Sequence, residues 1–388
     1  MIPYGRQEVT QEDIDSVVNV LQSDFLTQGP AVPKFENGVS NYCRVKHGVA
    51  TNSATSALHI ACLALGLGAG DILWTSPITF VASANCGLYC GAKVSFVDID
   101  LKTFNMCPIA LEKKLKVAEA SGELPKIVIP VHMCGQSCDM EAIHKLSTQY
   151  GFAIIEDASH AIGGKYKNEP VGNCAFSDIT VFSFHPVKIM TTGEGGMAMT
   201  NSVELSDTMK LLRSHGITRD ASKMIGDSDG GWYYQQVALG FNYRMTDIQA
   251  ALGVSQLERV DANVQLRHEL AKKYDDAFVD TNITPQQQEL DSYSSYHLYC
   301  IQLEDVSTPE AHSCTYTSMR DAGIGVNVHY IPVHTQPVYK TLGFKKGDYP
   351  AAEKYYHHAL TLPLFPSLSG DDQELVTNTL SKAWYNLT

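Results

Sequence analysis

The sequence predicts an α/β fold in which helices cover both faces of a mostly parallel sheet. Three short segments, residues 126–131, 153–156 and 179–184, are rich in β-branched side chains and nearly continuously apolar. Such runs are typical of strands that are covered on both faces. A helical stretch over Met140–Tyr150 separates the first two. Because strands that alternate with helices form a parallel sheet, we expect ligands at its carboxyl edge.

The chain has 388 residues, which is enough for two domains and a large buried core. We predict an N-terminal segment and large domain over residues 1–255, and a small C-terminal α/β domain over residues 256–388. A helical pattern over residues 246–260 is expected to connect them. The small domain should contain four further elements, over residues 297–303, 309–322, 325–330 and 371–383.

Two helix starts are visible near the amino terminus. Thr10 and Asp13 have the spacing of a capping box, and apolar residues follow at helical intervals. Asn52-Ser53 is expected to cap a second helix, which should end at Gly66.

The charge and the cysteines restrict the possible partners and compartment. A formal net charge of −13 argues against a nucleic-acid-binding surface and against attachment to an anionic membrane. No apolar signal-peptide segment and no run of about 18 apolar residues is visible. The ten cysteines include no C-x-x-C pair, and most lie in apolar segments, so we expect a reducing cytoplasm. His132, Cys134 and Cys138 form only a weak metal signal, and no metal is expected.

The strongest chemical signal is a lysine that follows a buried strand. Lys188 comes just after residues 179–184, and a turn containing Gly193, Gly195 and Gly196 follows it. Taken alone, such a lysine is most often a surface charge. A second strand, over residues 151–157, ends in the carboxylate of Asp157. A lysine that holds an aldehyde and an acid that keeps a pyridinium nitrogen protonated are what pyridoxal phosphate requires.

Weaker signals accompany this pair. Residues 52–58 place free backbone N–H groups at a helix N-terminus, which suits an anion, although an ordinary helix cap has the same pattern. Phe80 could stack on a flat ring or lie in the core, and Asn242 with Arg244 precedes a helix. The glycines of residues 66–70 follow a helix and lack the G-x-G-x-x-G spacing, so a dinucleotide site is rejected.

Together and in this order, these segments resemble the DegT/StrS family of sugar-nucleotide aminotransferases along the whole chain. The matching segments are LTQGP (26–30), NSATSAL (52–58), PITFVASAN (77–85), EDASHA (156–161), FSFHPVK (182–188), TTGEGG (191–196), RSHG (213–216), NYRMTDIQAALG (242–253) and VHYIPVH (328–334). The resemblance implies a fold-type-I pyridoxal phosphate-dependent transferase, similar to aspartate aminotransferase. Relatives that became dehydratases carry histidine in place of the lysine, so Lys188 favours transamination.

The resemblance also implies roles for individual residues. Lys188 would bind the cofactor covalently and then move the proton, and Asp157 would pair with the ring nitrogen. The backbone of Ala54 and Thr55 and the hydroxyl of Ser183 would hold the phosphate. The remaining cofactor contacts would be Phe80 on the ring, His160 near the ring hydroxyl and Asn242 from the partner subunit.

Five further segments resemble the subgroup that acts in pseudaminic acid biosynthesis: residues 2–7, 23–36, 87–93, 135–143 and 211–220. The implied reaction transfers an amino group from L-glutamate to C4 of UDP-4-keto-6-deoxy-β-L-AltNAc, in a homodimer with shared active sites. The implied substrate contacts are Tyr4, Asp24, Phe25, Leu26, Thr27, Ala54, Ser183, Asn242, Asn327, Val328, His329 and Tyr330. Two alternatives stay open: the same chemistry on a UDP-D-xylo, TDP- or GDP-linked sugar, and a non-catalytic sensor of the cofactor or of a sugar nucleotide.

Overall fold

A seven-stranded sheet forms the centre of the computed structural model, which describes residues 1–304 and 309–385. The strands of the chain are β1 (His47–Thr51), β2 (Ile72–Thr75), β3 (Lys93–Phe96), β4 (Ile127–Ile129), β5 (Ala153–Asp157), β6 (Lys165–Tyr166), β7 (Glu169–Pro170), β8 (Ile179–Ser183), β9 (Gly196–Thr200), β10 (Ile217–Thr218), β11 (Gln235–Gln236), β12 (Ile283–Pro285), β13 (Ser292–Tyr293), β14 (Tyr299–Leu303) and β15 (Ala359–Leu362). The α-helices are α1 (Gln11–Leu21), α2 (Ala31–Cys43), α3 (Ala54–Ala64), α4 (Ala82–Tyr89), α5 (Pro108–Ser121), α6 (Met140–Tyr150), α7 (Val203–Leu212), α8 (Asp247–Leu257), α9 (Val260–Phe278), α10 (Pro309–Asp321), α11 (Pro337–Thr341), α12 (Pro350–His358) and α13 (Gly370–Tyr385).

The central sheet has the strand order β1-β9-β8-β5-β4-β2-β3. Strand β9 pairs antiparallel with both neighbours, and the other pairs in the sheet are parallel. This arrangement confirms the predicted mostly parallel α/β sheet. The three predicted strands are present as β4, β5 and β8, and the helix between the first two is α6.

The apolar strands are continuous because both faces of the sheet are covered. In β8, Ile179 and Val181 pack into the core beneath α3 and α4, whereas Phe182 packs with Phe35 of α2 on the other face. Successive side chains of a strand point to opposite faces, so a doubly covered strand needs apolar residues at every position. Burial of this kind contributes about 1.5–3 kcal/mol for each large side chain.

The predicted helix starts are present. The Thr10 N–H donates to Asp13 Oδ2 at 2.9 Å at the start of α1. Ser53 Oγ accepts from the Ser56 N–H at 3.1 Å at the start of α3, and Gly66 follows that helix with φ of 74°.

The C-terminal part has its own core around the antiparallel sheet β12-β14-β15. Helices α9, α10 and α13 supply apolar side chains to it, including the buried Tyr274 and Trp384. Ile2 packs against this core and forms a bridge with Ile324, so the amino-terminal segment is attached to the C-terminal part. The domain boundary near residue 255 stays a prediction.

The sequence interpretation of this region is wrong in two places. Residues 325–330 form an irregular segment with one isolated bridge, between Asn327 and Thr361, and the third strand of the small sheet is β15. Helix α9 was not predicted, because its buried stripe includes the polar Asn263 and Arg267 and so interrupts the apolar periodicity.

The cysteines are free thiols, and the expected core placement holds for Cys43, Cys62, Cys86, Cys134, Cys138, Cys174 and Cys300. Cys90 and Cys107 are half-buried and Cys314 is exposed. Among the described residues, no helix combines the length and the apolar character needed to span a bilayer.

Candidate active site

A cavity of about 600 Å³ opens at the carboxyl edge of the central sheet. Lys188 and Asp157 both line it, although 31 residues separate them in sequence. The other predicted site residues on its wall are Tyr4, Ala54, Thr55, Phe80, His160, Ser183, Asn327, Val328, His329 and Tyr330. Their binding roles remain predictions; what the structure adds is that they surround one space.

Lys188 reaches the cavity because the chain turns sharply after β8. The Lys188 N–H donates to His185 O at 2.9 Å, and the Thr192 N–H donates back to Phe184 O at 3.0 Å, which closes the loop. Burial lowers the pKa of Lys188 to about 8, and the Asp157 carboxylate opposes part of that shift. A lysine with this pKa has an appreciable fraction of nucleophilic free amine near neutral pH.

Asp157 ends β5 and is held by two donors. The Ser83 hydroxyl donates to Oδ2 at 2.6 Å, and the Ser159 N–H donates to Oδ1 at 3.1 Å. A carboxylate can only accept hydrogen bonds, so the single hydroxyl proton of Ser83 is donated to Asp157. The Thr79 hydroxyl oxygen lies 2.7 Å from Ser83 Oγ, and Thr79 therefore donates to Ser83. Asp157 is 5% exposed, so these bonds fix the direction of a buried carboxylate.

An anion cradle lies at the start of α3. The N–H groups of Ala54 and Thr55 belong to the first turn, where a helix has no internal acceptors, and the Ser53 cap takes the N–H of Ser56 instead. A Cβ at Gly196 would overlap backbone atoms of Ser53 and Ala54. The glycine therefore allows β9 to pass directly beneath the helix start, next to Ser183, its partner in β8.

Two buried histidines, His160 and His329, and a tyrosine, Tyr330, share the cavity with the lysine. His160 Nε2 lies 3.1 Å from the Tyr330 hydroxyl, and His329 Nδ1 lies 2.9 Å from the Thr361 hydroxyl. Burial, followed by the charge of Lys188, lowers the pKa of His160 well below its usual value and that of His329 to about 3. Burial raises the pKa of Tyr330. These groups are therefore neutral near pH 7.

The outer wall is aromatic. Tyr4 packs against His329 with ring centroids 5.2 Å apart, and Phe80 lies 6.4 Å from Tyr330. Phe80 is 59% exposed, so a face of its ring is open rather than buried in the core. The core alternative for this residue is thus wrong.

Two predicted elements do not reach the cavity of their own chain. Residues 24–27 (Asp24, Phe25, Leu26 and Thr27) lie exposed between α1 and α2, where Leu26 O accepts from the Asp247 N–H at 3.0 Å. This bond ties the segment to the start of α8, outside the cavity. Asn242 is also exposed, and its carbonyl accepts from Asn52 Nδ2 at 3.3 Å.

Two residues of the site, His297 and Ser83, were not predicted from the sequence. His297 Nε2 lies 3.5 Å from Lys188 Nζ, and Ser83 bonds to Asp157 from 74 residues earlier in the chain. A histidine before an apolar strand and a serine in a helix are ordinary features, so the sequence holds no local signal for either. Only the folded chain brings them to the site.

Both ring nitrogens of His132, the histidine of the weak metal signal, have hydrogen-bond partners in the protein. Its Nδ1 accepts from the Cys138 N–H at 3.2 Å, and its Nε2 donates to Glu156 at 2.7 Å. Across residues 1–304 and 309–385, no group of three or more histidine, cysteine or acidic side chains has the arrangement of a metal site.

The model of the DegT/DnrJ/EryC1/StrS aminotransferase family matches residues 7–381. The chain belongs to this family. A UDP-4-amino-4,6-dideoxy-N-acetyl-β-L-altrosamine transaminase of Campylobacter jejuni is 40% identical over 98% of this chain and 96% of its own length. The spore coat polysaccharide biosynthesis protein SpsC of Bacillus subtilis is also 40% identical, over 96% of this chain and 94% of its own length.

Solved structures of the family have the same fold. The putative sugar aminotransferase Spr1654 of Streptococcus pneumoniae, in its pyridoxamine phosphate form, superposes with a TM-score of 0.91 at 31% identity over the full length of both chains. Helicobacter pylori PseC, an aminotransferase of pseudaminic acid biosynthesis, gives a TM-score of 0.91 at 33% identity over 99% of both chains. The chain is thus a sugar aminotransferase that depends on pyridoxal phosphate.

The residues of the cavity fit this cofactor. The uncovered N–H groups of Ala54 and Thr55 suit its phosphate, Asp157 its ring nitrogen, and Lys188 its aldehyde. When bound, the cofactor acts as an electron sink that stabilises negative charge on the carbon that gains or loses the amino group. The chain itself contributes orientation, a buried environment and a lysine that can hold or release a proton at Nζ.

Proposed function

We propose that the protein transfers the amino group of L-glutamate to C4 of UDP-4-keto-6-deoxy-β-L-AltNAc, a step of pseudaminic acid biosynthesis. The observation that carries the proposal is the 40% identity to the Campylobacter jejuni altrosamine transaminase over nearly the whole of both chains. The family and its amino-transfer chemistry are established above; the nucleotide, the sugar and the donor belong to the proposal.

The chemistry of the cavity suits a 4-keto sugar. In the proposed reaction Lys188 takes a proton from the donor's carbon and later delivers one to C4 of the sugar. A lysine with a pKa of about 8 can act in both directions near neutral pH. The neutral His329 adds a polar contact for the sugar, and the neutral His160 adds one near the ring hydroxyl of the cofactor, without adding positive charge beside Lys188.

The diphosphate would need a local electropositive region, because the chain as a whole is acidic. Arg244 is half-buried and lies two residues after Asn242, just before α8. We propose that this segment reaches the active site of a second subunit, so that a homodimer shares its sites. The segment of Asp24–Thr27 would serve the partner in the same way, since its exposed Phe25 and Leu26 lie outside the cavity of their own chain.

Selection between C5 epimers would come from the shape of the pocket around the sugar methyl group. Apolar contacts of that size give about 1–3 kcal/mol, or roughly 10–200-fold. The enzyme should therefore prefer the L-altro precursor without rejecting its D-xylo epimer completely.

The test is a panel of 4-keto sugars linked to UDP, TDP and GDP, each incubated with L-glutamate. Initial rates of the aminated product are measured by mass spectrometry. The proposal expects the highest kcat/KM for UDP-4-keto-6-deoxy-β-L-AltNAc. A clear preference for the D-xylo epimer or for a TDP- or GDP-linked sugar would overturn the substrate while leaving the family assignment intact.

The SpsC relative makes such an outcome a specific alternative, because it has the same 40% identity and is named for spore coat polysaccharide rather than for this sugar. The sensor alternative predicts cofactor binding with no amination of any ketone on the panel. Retention of both Lys188 and Asp157 in one cavity argues against it, since a binding protein needs no proton-transferring lysine.

A further inference from the structure

His297 is the imidazole that faces Lys188. Its Nε2 lies 3.5 Å from Lys188 Nζ, which is the outer limit of a hydrogen bond. The histidines that line the cavity itself are His160, His185 and His329, and the exposed His185 has its Nε2 4.0 Å from Glu194. His160 Nε2 contacts the Tyr330 hydroxyl, and His329 lies between the Thr361 hydroxyl and the Asn327 amide. Among the hydrogen bonds of the described residues, the histidine that contacts Lys188 Nζ is His297.

The position of the His297 ring is fixed by its backbone. The fully buried guanidinium of Arg267 donates to Tyr296 O at 3.0 Å and to His297 O at 3.3 Å. The ring also packs against His160, with centroids 4.5 Å apart. A ring anchored on two sides presents its Nε2 to Lys188 in one direction.

In contrast to the ring position, the tautomer of His297 is not fixed by a partner at Nδ1. Its Nδ1 is buried and has no hydrogen-bond partner among the described residues. The tautomer of His132 differs, because the Cys138 N–H and Glu156 hold both of its nitrogens. With the proton on Nδ1, His297 Nε2 can accept a hydrogen bond from the ammonium or from an N–H of the free amine, and the lone pair of the free amine then stays available for attack.

The charges around the pair favour the accepting form near pH 7. Burial and then the charge of Lys188 keep the pKa of His297 well below its usual value, so the ring is neutral. Asp157 is the carboxylate that favours the ammonium form of Lys188, and His329 is neutral at this pH. A neutral ring beside an ammonium acts as acceptor.

We propose that His297 is a positioning residue for Lys188: its Nε2 accepts a hydrogen bond from the lysine whenever Nζ is not attached to the cofactor, and so holds the amine where its attack begins. The inference rests on the proposed role of Lys188 and is independent of the identity of the sugar. It assigns no proton transfer to His297 itself.

The test compares His297→Gln with His297→Asn. The Gln side chain places an oxygen near the position of Nε2, whereas Asn reaches only the position of Nδ1, and both are polar and small enough for the site. His357→Gln, on an exposed histidine of α12, is the matched control. Cofactor-free protein is mixed with saturating pyridoxal phosphate, and the first-order rate of covalent attachment to Lys188 is followed by absorbance as a function of pH.

Wild type should give a sigmoidal profile with a midpoint near the Lys188 pKa of about 8. In His297→Asn the Lys188 ammonium loses its acceptor, so the midpoint of the rate profile should fall by roughly one pH unit. The free amine is then no longer held in position, so the attachment rate at the high-pH plateau should fall by about tenfold. His297→Gln should recover the wild-type midpoint, and the control should match wild type throughout.

A His297→Asn profile that coincides with wild type would overturn the proposal, and so would a His297→Gln profile as defective as that of Asn, since packing alone would then explain both. Failure of the wild type to attach the cofactor at Lys188 would instead overturn the role of Lys188. The two failures are therefore distinguishable.

Discussion

Ser83 of α4 donates a 2.6 Å hydrogen bond to the carboxylate of Asp157 at the end of β5. The bond joins a helix and a strand that both border the cavity, and Asp157 itself lines that cavity. The direction of Asp157 thus depends on the hydroxyl of a fully buried serine.

Asp157→Asn should keep the fold and lose most activity. A neutral amide of the same shape still accepts from Ser83, so the free energy of unfolding should change by no more than about 1 kcal/mol. The amide cannot stabilise a protonated ring nitrogen, so kcat should fall by about 100-fold or more. Ser83→Ala should have a smaller effect: kcat should fall by about tenfold, because Asp157 loses one charge-assisted hydrogen bond.

Steady-state kinetics measure kcat of both variants, and thermal unfolding measures their stability. Near-wild-type kcat in Asp157→Asn would remove Asp157 from the proposed role. A Ser83→Ala variant more damaged than Asp157→Asn would show that Ser83 acts on something other than the carboxylate.

Subunit mixing tests the shared site. Lys188→Ala and Asn242→Ala should each be strongly defective in the homodimer. If Asn242 serves the partner's site, a hybrid dimer has one site with both lesions and one intact site. Random exchange should therefore restore about a quarter of wild-type activity. No recovery after subunit exchange has been demonstrated by mass spectrometry would mean that Asn242 acts within its own chain or not at all.

Lys188 should destabilise the cofactor-free protein near neutral pH. Its pKa is lowered from 10.5 to about 8, so the folded protein carries the full cost of a buried ammonium below pH 8. Between pH 8 and 10.5 the folded state releases the proton while the unfolded state keeps it, so the cost declines as pH rises. Lys188→Met should raise the free energy of unfolding by about 1–3 kcal/mol at pH 7, and by less at pH 10.

Denaturant unfolding at a series of pH values measures this difference. Lys145→Met, on the exposed face of α6, is the surface control and should change stability by less than about 0.5 kcal/mol. A gain for Lys188→Met that is constant from pH 7 to 10 would contradict a buried ammonium at this position.

The sequence predicts those parts of the molecule that depend on local patterns. Strand β8 was visible because every residue from Ile179 to Ser183 is buried in the sheet, and Lys188 follows at a fixed distance along the chain. The start of α3 was visible because its cap residue, Ser53, precedes it directly.

What the sequence did not predict depends on contacts between distant segments. His297 contacts Lys188, which is 109 residues away in the sequence, and its backbone is held by Arg267. Arg267 lies in α9, a helix that was not predicted because polar residues interrupt its buried apolar face. The irregular segment at residues 325–330 was read as a regular element because Val326 and Val328 alternate with polar residues, but Val326 packs in the core of the C-terminal part and Val328 lines the cavity.

The assignment of Lys188 as the cofactor-binding residue is the claim on which the account depends, and borohydride reduction tests it directly. Purified protein loaded with pyridoxal phosphate is reduced, digested and mapped by mass spectrometry. The account predicts a single modified peptide with the cofactor on Lys188, and no covalent adduct in Lys188→Ala although that variant still binds the cofactor. A reduced adduct on any other lysine, or an unchanged adduct in Lys188→Ala, would contradict it.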